Sequence, residues 1–338
     1  MRFENVSILG VTHVDAPHRV TSQYLEDQLA PAKDRLGLKT NVLETLTGIV
    51  ARRFWDPDVA FSTMATMAAE KVLEQTGLDR RRIGILLSTS VCKDYIEPSM
   101  ASLIHGNLKL PPECMNMDIG NACLGFLNGM DVIGNMIERG QVDYGLIANG
   151  EGSRYAVECT LKRMLAPEAD IKTLFDNFAT LTLGSGAAAM ILARSDLAPE
   201  GHRVVADVTL AATQHNRLCV GQPDCMTTDA SGLLKAGLKL AVETWEKATR
   251  ELGWRDEDID HYMVHQIGSM HVTKFCQAIG IEEKKLYKIF PEFGNTGPAS
   301  IPMALCKALE AGLVKKGQRL GLLGIGSGLN CTMMEVIW

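Results

Sequence analysis

Apolar residues along this chain fall into short, β-rich runs that alternate with longer stretches of helical spacing, and the alternation occurs twice in the same order. The first copy predicts a strand over 83–87, a turn at Gly120 and Asn121, a helix over 126–139, a strand over 144–148 and a small-residue end at Gly150, Glu151, Gly152 and Ser153. The second predicts a strand over 259–264, a turn at Gly294 and Asn295, a helix over 301–309, a strand over 320–323 and the end Gly324, Ile325, Gly326, Ser327, Gly328. Apolar strands alternating with helices imply βαβ units with sheets buried on both faces. The repetition predicts a duplicated α/β fold with one buried mixed sheet in each half. Residues 187–193 and 204–210 read as further strands around a turn-rich connector, so the boundary falls near Pro199, with halves 1–198 and 199–338. A long helix after Ser231 carries Leu234, Leu238, Ala241, Trp245, Ala248 and Leu252 at alternating spacings of four and three and stops at Gly253; its stripe reads as core.

The most reactive position is Cys123. Residues 114–119 read as a short buried strand and 126–137 as an apolar helix closed by Gly140, so Gly120, Asn121, Ala122, Cys123, Leu124 and Gly125 place a thiol where a strand ends and a helix begins. Unpaired N–H groups and the positive dipole end at a helix start favour thiolate over thiol, and can hold an oxyanion after attack on a carbonyl. Most of the nine cysteines suit inert core positions, Cys159, Cys276, Cys306 and Cys331 among them. Cys123 alone lies in a Gly- and Asn-rich turn. A nucleophilic cysteine needs a base or an electrophilic neighbour, and His265, after the 259–264 strand, is the best placed of eight histidines. A strand-end histidine is more often a structural residue, but a duplicated fold would bring this strand end beside the Cys123 loop. Asn295 precedes Thr296, Gly297 and Pro298 and by itself reads as a turn former. It occupies in the second copy the place of Gly120 and Asn121 in the first, from which its amide could donate to an oxygen beside the imidazole.

Composition narrows the class. At 338 residues the chain can enclose a deep pocket, and a net charge of −6 from scattered acids argues against nucleic acid as a partner. The start lacks a basic region followed by an apolar one, and no segment reaches the roughly 18 apolar residues of a membrane span, so a cytoplasmic location without a membrane span is expected. An odd number of irregularly spaced cysteines, without CxxC, predicts free thiols and no metal. The basic clusters Arg80, Arg81, Arg82 and Lys315, Lys316 read as solvated loops, while Arg52 and Arg53 are less easily dismissed. The glycine loop 324–328 lacks GxGxxG spacing and a following helix, which excludes a dinucleotide site. Papain-like peptidases share the order Cys, His, Asn, but their local cysteine pattern is absent here. An inactive scaffold subunit would not need the intact trio.

Cys123, His265 and Asn295, with Gly294, Asn295, Thr296 and Ala299, Ser300, Ile301, Pro302 around the last and the glycine loop 324–328, resemble the thiolase superfamily, specifically its ketoacyl synthase III branch, across essentially the whole chain. The resemblance implies a thiolase-like fold of layered αβαβα halves and a Cys-His-Asn triad. One departure is informative: His265 and Gln266 are followed by Ile267 and Gly268, where carrier-protein-dependent initiating synthases usually have Ala-Asn. Asp15, Ala16, Pro17, His18, the stretch Asp94, Tyr95, Ile96, Glu97, Pro98, Ser99, and residues 322–331 more closely resemble the acyl-CoA head-to-head condensing enzymes of bacterial olefin biosynthesis. That resemblance implies a homodimer in which Glu97 reaches the partner's site as a base; from position alone, Glu97 reads as an acid near a helix start before Pro98. It further implies acyl transfer from a fatty acyl-CoA to Cys123, with the N–H groups of Cys123 and Ser327 as oxyanion hole, and a non-decarboxylative Claisen condensation to a 2-alkyl-3-ketoalkanoic acid. The resemblance also implies coenzyme A thioesters as substrates, no cofactor, and downstream olefin-pathway enzymes as partners. The alternative is a decarboxylative 3-ketoacyl-ACP synthase III using malonyl-ACP, which needs no Glu97. Sixteen methionines suit an adaptable acyl tunnel but equally fill an ordinary core.

Overall fold

A computed structural model of the chain describes residues 1–38 and 42–338. Its main sheet has nine strands: β1 (Val6–Asp15), β2 (Ile85–Ser88), β3 (Met115–Asp118), β4 (Tyr144–Glu151), β5 (Gly186–Arg194), β6 (His202–Ala211), β7 (His261–Val264), β8 (Arg319–Gly326) and β9 (Asn330–Ile337). The spatial order is β7-β8-β9-β6-β1-β5-β4-β2-β3. Read outward from the middle, β1, β5, β4 and β2 match β6, β9, β8 and β7: antiparallel near the centre, parallel outside. The counterpart of β3 is a single parallel bridge between Tyr262 and Leu286.

The two separate sheets expected from the repeated pattern are one continuous sheet. The halves join where β1 and β6 run antiparallel, with Ser7 opposite Arg203 and Ile8 opposite His202. That contact pairs backbone groups that would otherwise form two inner edges.

Six helices frame the sheet: α1 (Phe61–Thr76), α2 (Met100–Leu108), α3 (Gly125–Glu138), α4 (Ala230–Leu252), α5 (Ser269–Ile279) and α6 (Ser300–Glu310). Ala65, Ala68 and Ala69 of α1 share a cluster with Ala148, Ala187 and Ala189, and small residues on both elements let helix and strands approach closely. Side chains of α3 and α6 share one cluster with strands of both halves, among them Ile85 and Leu87 of β2 and Leu320 and Leu322 of β8. Burying an Ile, Leu, Met or Phe contributes about 1.5–3 kcal/mol. Phe126, Leu127, Met130, Ile133 and Ile137 therefore hold α3, and the turn at its start, firmly in the middle of the molecule. In α4 the buried stripe is centred on Gly237, Leu240, Ala241, Thr244 and Ala248, so the predicted Leu234, Leu238, Trp245 and Leu252 flank it half-buried.

The predicted buried strand at 114–119 differs most. β3 is the edge of the sheet, and Met115 and Met117 are 44% and 41% exposed. A second apolar surface lies on the loop before α2, where Tyr95 is exposed and Ile96 is 97% exposed.

Candidate active site

Cys123 sits in a tight turn, Ala122–Leu124, that runs straight into α3. Ala122 adopts φ +45°, a left-handed conformation that costs a residue with a Cβ roughly 1–2 kcal/mol. The surroundings hold it there. Asn121 donates through Nδ2 to Asn128 Oδ1 at 2.7 Å and accepts at Oδ1 from Asn330 Nδ2 at 3.2 Å. The end of β8 presses on the same turn, so that a Cβ on Gly326 would stand 3.1 Å from the Asn121 carbonyl oxygen. Ser327 follows Gly326 in the β8–β9 hairpin, half-buried next to this turn.

His265 extends β7 by one residue, its N–H donating to Leu323 O at 2.9 Å. Gln266, fully buried, locks that strand end. Its Nε2 donates to Tyr287 O at 2.7 Å, and its Oε1 accepts from the N–H groups of Ile289 at 2.8 Å and Phe290 at 3.1 Å. Asn295 is held through its backbone: its N–H donates to Thr182 O and its carbonyl accepts from Gly184 N–H, both at 2.8 Å. Gly184 is obligatory, because a Cβ there would lie 1.8 Å from the Phe293 carbonyl oxygen. Asn295 Oδ1 accepts the Gly297 N–H at 3.0 Å, which orients the amide. The Gly297–Ala299 turn packs against the Ala122–Leu124 turn, and the Gly297 backbone lies at the His265 ring. Residues from both halves thus converge on one spot.

The electrostatics correct one expectation. Burial pushes the Cys123 thiol up to about 12, and the nearby Glu151 carboxylate and Cys219 add to the effect. Desolvation outweighs the pull of the helix start, so the resting group is a thiol and not the predicted thiolate. Burial holds His265 down at about 4; the Gly297 backbone works in the opposite direction, and His271 lowers it further. The imidazole is therefore neutral at physiological pH, and its buried Nδ1 has no hydrogen-bond partner among the described residues.

Glu97 lies apart from these groups on its own chain, exposed between Ile96 and Pro98 and ahead of the Ser99 cap of α2. Arg52 is buried and donates to Ser22 Oγ at 3.1 Å and Leu181 O at 2.9 Å, so it braces the interior. Cys276, Cys306 and Cys331 are buried and Cys159 half-buried. Glu151 is a site residue the sequence reading passed over, although a lone acid between two glycines at the end of an apolar strand was a usable signal. Among the described residues no group of three or more His, Cys, Asp or Glu is arranged to hold a metal ion, and no helix is long and apolar enough to cross a membrane.

Residues 117–212 match the 3-oxoacyl-[acyl-carrier-protein] synthase III family, and residues 249–338 match the C-terminal region of the same family. The chain is 48% identical to an acyl-CoA:acyl-CoA alkyltransferase of Xanthomonas campestris, over 100% of both chains. It is 35% identical to a protein of the same name from Shewanella oneidensis, again over 100% of both. A solved structure of Xanthomonas campestris OleA, with a cysteine replaced by serine and with lauric acid and lauroyl-CoA bound, superposes with a TM-score of 0.98 at 48% identity, over 99% of this chain and 100% of that one. With its Cys123 turn, its strand-end His265 and its Asn295 loop in this arrangement, the chain belongs to the ketoacyl synthase III-like branch of the thiolase superfamily, and within it to the acyl-CoA:acyl-CoA alkyltransferase family.

Proposed function

We propose that the protein condenses two long-chain fatty acyl-CoA molecules head to head, without decarboxylation, as a cytoplasmic homodimer whose halves, 1–198 and 199–338, each supply part of the site. The observation that carries the reading is a neutral, half-buried His265 whose Nδ1 is buried and unpartnered, set at the turn that closes on Cys123. An unpaired buried polar atom costs about 1–3 kcal/mol, and a substrate or the sulfur proton can occupy it.

In the first half-reaction Cys123 Sγ attacks the thioester carbonyl, its proton passes to His265, and the N–H groups of Cys123 and Ser327 hold the oxyanion. Coenzyme A leaves as the thiol, taking that proton, and an acyl thioester remains on Cys123. In the second, Glu97 of the partner subunit removes an α-proton from a second acyl-CoA, while His265 and Asn295 stabilise the enolate oxygen. The carbanion attacks the acyl-Cys123 carbonyl, and the Cys123 sulfur leaves and is reprotonated to the thiol, balancing the proton that Glu97 took up. Hydrolysis of the resulting thioester yields a 2-alkyl-3-ketoalkanoic acid, a precursor suited to downstream olefin-pathway enzymes.

Three features support the division of labour. Glu97 is exposed on its own chain, next to Tyr95 and Ile96, whose exposure suits burial against a partner. The edge strand β3 offers Met115, Met117 and its free backbone groups to a second copy. The intervals between the glutamate, cysteine and histidine replaced in solved forms of the Xanthomonas campestris relative equal those between Glu97, Cys123 and His265. The test is product analysis with myristoyl-CoA as sole substrate. A β-keto acid, decarboxylating to a symmetrical ketone, is expected. Product that forms only when malonyl-ACP is added would assign the decarboxylative 3-ketoacyl-ACP synthase III reaction instead.

A further inference from the structure

Glu151 closes β4 as the last of eight consecutive buried residues, itself 5% exposed. A buried carboxylate is expensive unless its oxygens are satisfied, and here they are. Oε1 accepts from Val91 N–H at 2.9 Å and from Asn149 Nδ2 at 3.1 Å, and Oε2 accepts from Cys92 N–H at 3.4 Å. Val91 and Cys92 are the root of the loop that carries Glu97. Farther along, Asp94 accepts the Phe61 N–H at the start of α1 at 2.7 Å, and Lys93 pairs with Asp118 at 2.9 Å; beyond these anchors Tyr95, Ile96 and Glu97 project outward. On its other side the Glu151 carboxyl carbon faces the asparagine loop, 3.9 Å from where a Cβ on Gly297 would sit.

We propose that Glu151 is a positioning residue of the condensation: its carboxylate ties the root of the Glu97 loop to the Cys123 pocket and holds a negative charge beside the sulfur. The role in placing Glu97 rests on the function proposed above; the charge beside Cys123 does not. Burial pushes Glu151 up to about 7 against the opposing pull of the Val91 N–H, Cys92 and Asn149. The titratable groups facing it are Cys123 from the turn before α3 and Cys92 from the loop, with Asp94 beyond. The end of β2 brings only the hydroxyls of Thr89 and Ser90, bonded to Asn149 Nδ2 and Gly150 N–H. A like charge disfavours thiolate. The ionised Glu151 thus adds to the burial that keeps Cys123 protonated until a thioester is in place and His265 accepts the proton.

The test is the rate of iodoacetamide alkylation of Cys123 from pH 5 to 9.5, followed by peptide mass spectrometry. In the unaltered protein the rate climbs about tenfold per pH unit, as expected for a thiol far below its pKa, but flattens around pH 7 as Glu151 ionises. Glu151→Gln keeps an oxygen for Val91 and Asn149 while losing the charge and the longer Cys92 bond. In it the flattening disappears, and alkylation at pH 8.5 is about tenfold faster, the equivalent of one pKa unit. Glu151→Asp keeps the charge and alkylates slowly, yet its shorter reach slackens the loop root, so condensation falls at least about tenfold while acyl loading of Cys123 persists. A straight profile in the unaltered protein, or unchanged alkylation in Glu151→Gln, overturns the charge role. Full condensation in Glu151→Asp overturns the positioning role. Should Glu97→Gln condense normally, the reading of Glu97 fails while the alkylation result stands.

Discussion

Replacing Gln266 with leucine removes the lock behind His265 while keeping the volume close. The change orphans the Tyr287 carbonyl and the N–H groups of Ile289 and Phe290, all now bonded to the Gln266 amide at 2.7–3.1 Å in the interior. An unsatisfied buried polar group costs about 1–3 kcal/mol, so three of them, with partial relaxation, put the loss at about 3–6 kcal/mol. That is a large share of the roughly 5–15 kcal/mol by which a domain is stable. Urea unfolding followed by tryptophan fluorescence reads the loss directly. Because the preceding residue is His265, loading of Cys123 from myristoyl-CoA, read by intact mass below the unfolding transition, is expected to slow at least about tenfold; a one-ångström misplacement can cost about a hundredfold. A stability loss below about 1 kcal/mol with normal loading would refute the claim that Gln266 sets the strand end.

Further predictions concern the same pocket. His265 has its pKa depressed from 6.5 to about 4, so its contribution to stability is complete above pH 6.5 and is lost as pH falls toward 4; His265→Asn is expected to lose less stability than the unaltered protein between pH 7 and 4.5, as read by urea midpoints. Gly125→Ala would set a Cβ 2.8 Å from the Thr89 carbonyl oxygen and push the start of α3, costing about 1–3 kcal/mol in thermal unfolding and slowing acyl loading. Cys123→Ala is expected to fold with a normal unfolding transition and to show no acyl adduct by intact mass; a normal adduct would remove Cys123 from the mechanism.

How far the site could be read in advance depended on the kind of residue. Cys123 stood out by its Gly- and Asn-rich turn at a helix start, whereas His265, a strand-end histidine, and Asn295, a turn-forming asparagine, gained weight only from the repeat that sets their segments beside it. The pairing of β1 with β6 was not legible, since periodicity reports which faces are buried and not which strands meet. Met115 and Met117 misled for a related reason: a four-residue apolar strand looks the same in a core and on an edge that another chain can cover. The expected Cys123 thiolate failed because a helix start was weighed without the cost of removing a charge from water, a quantity that only the packed structure supplies. The glycines on either side of Glu151 were a signal that it stands at the end of a strand, but the role proposed for it comes from the Val91, Cys92 and Gly297 backbones around it, none of them near it in sequence.

The account's central claim is that one condensing site needs residues from two chains. Mixed dimers of a Cys123→Ala chain and a Glu97→Gln chain, given only myristoyl-CoA, test it most directly. Neither parent homodimer is expected to make keto acid, whereas each mixed dimer holds one site with an intact Cys123 and an intact Glu97 from the other chain, and regains about half the activity per dimer. Mixed dimers as inactive as both parents would place Glu97 in the same chain as the cysteine it serves, and contradict the claim.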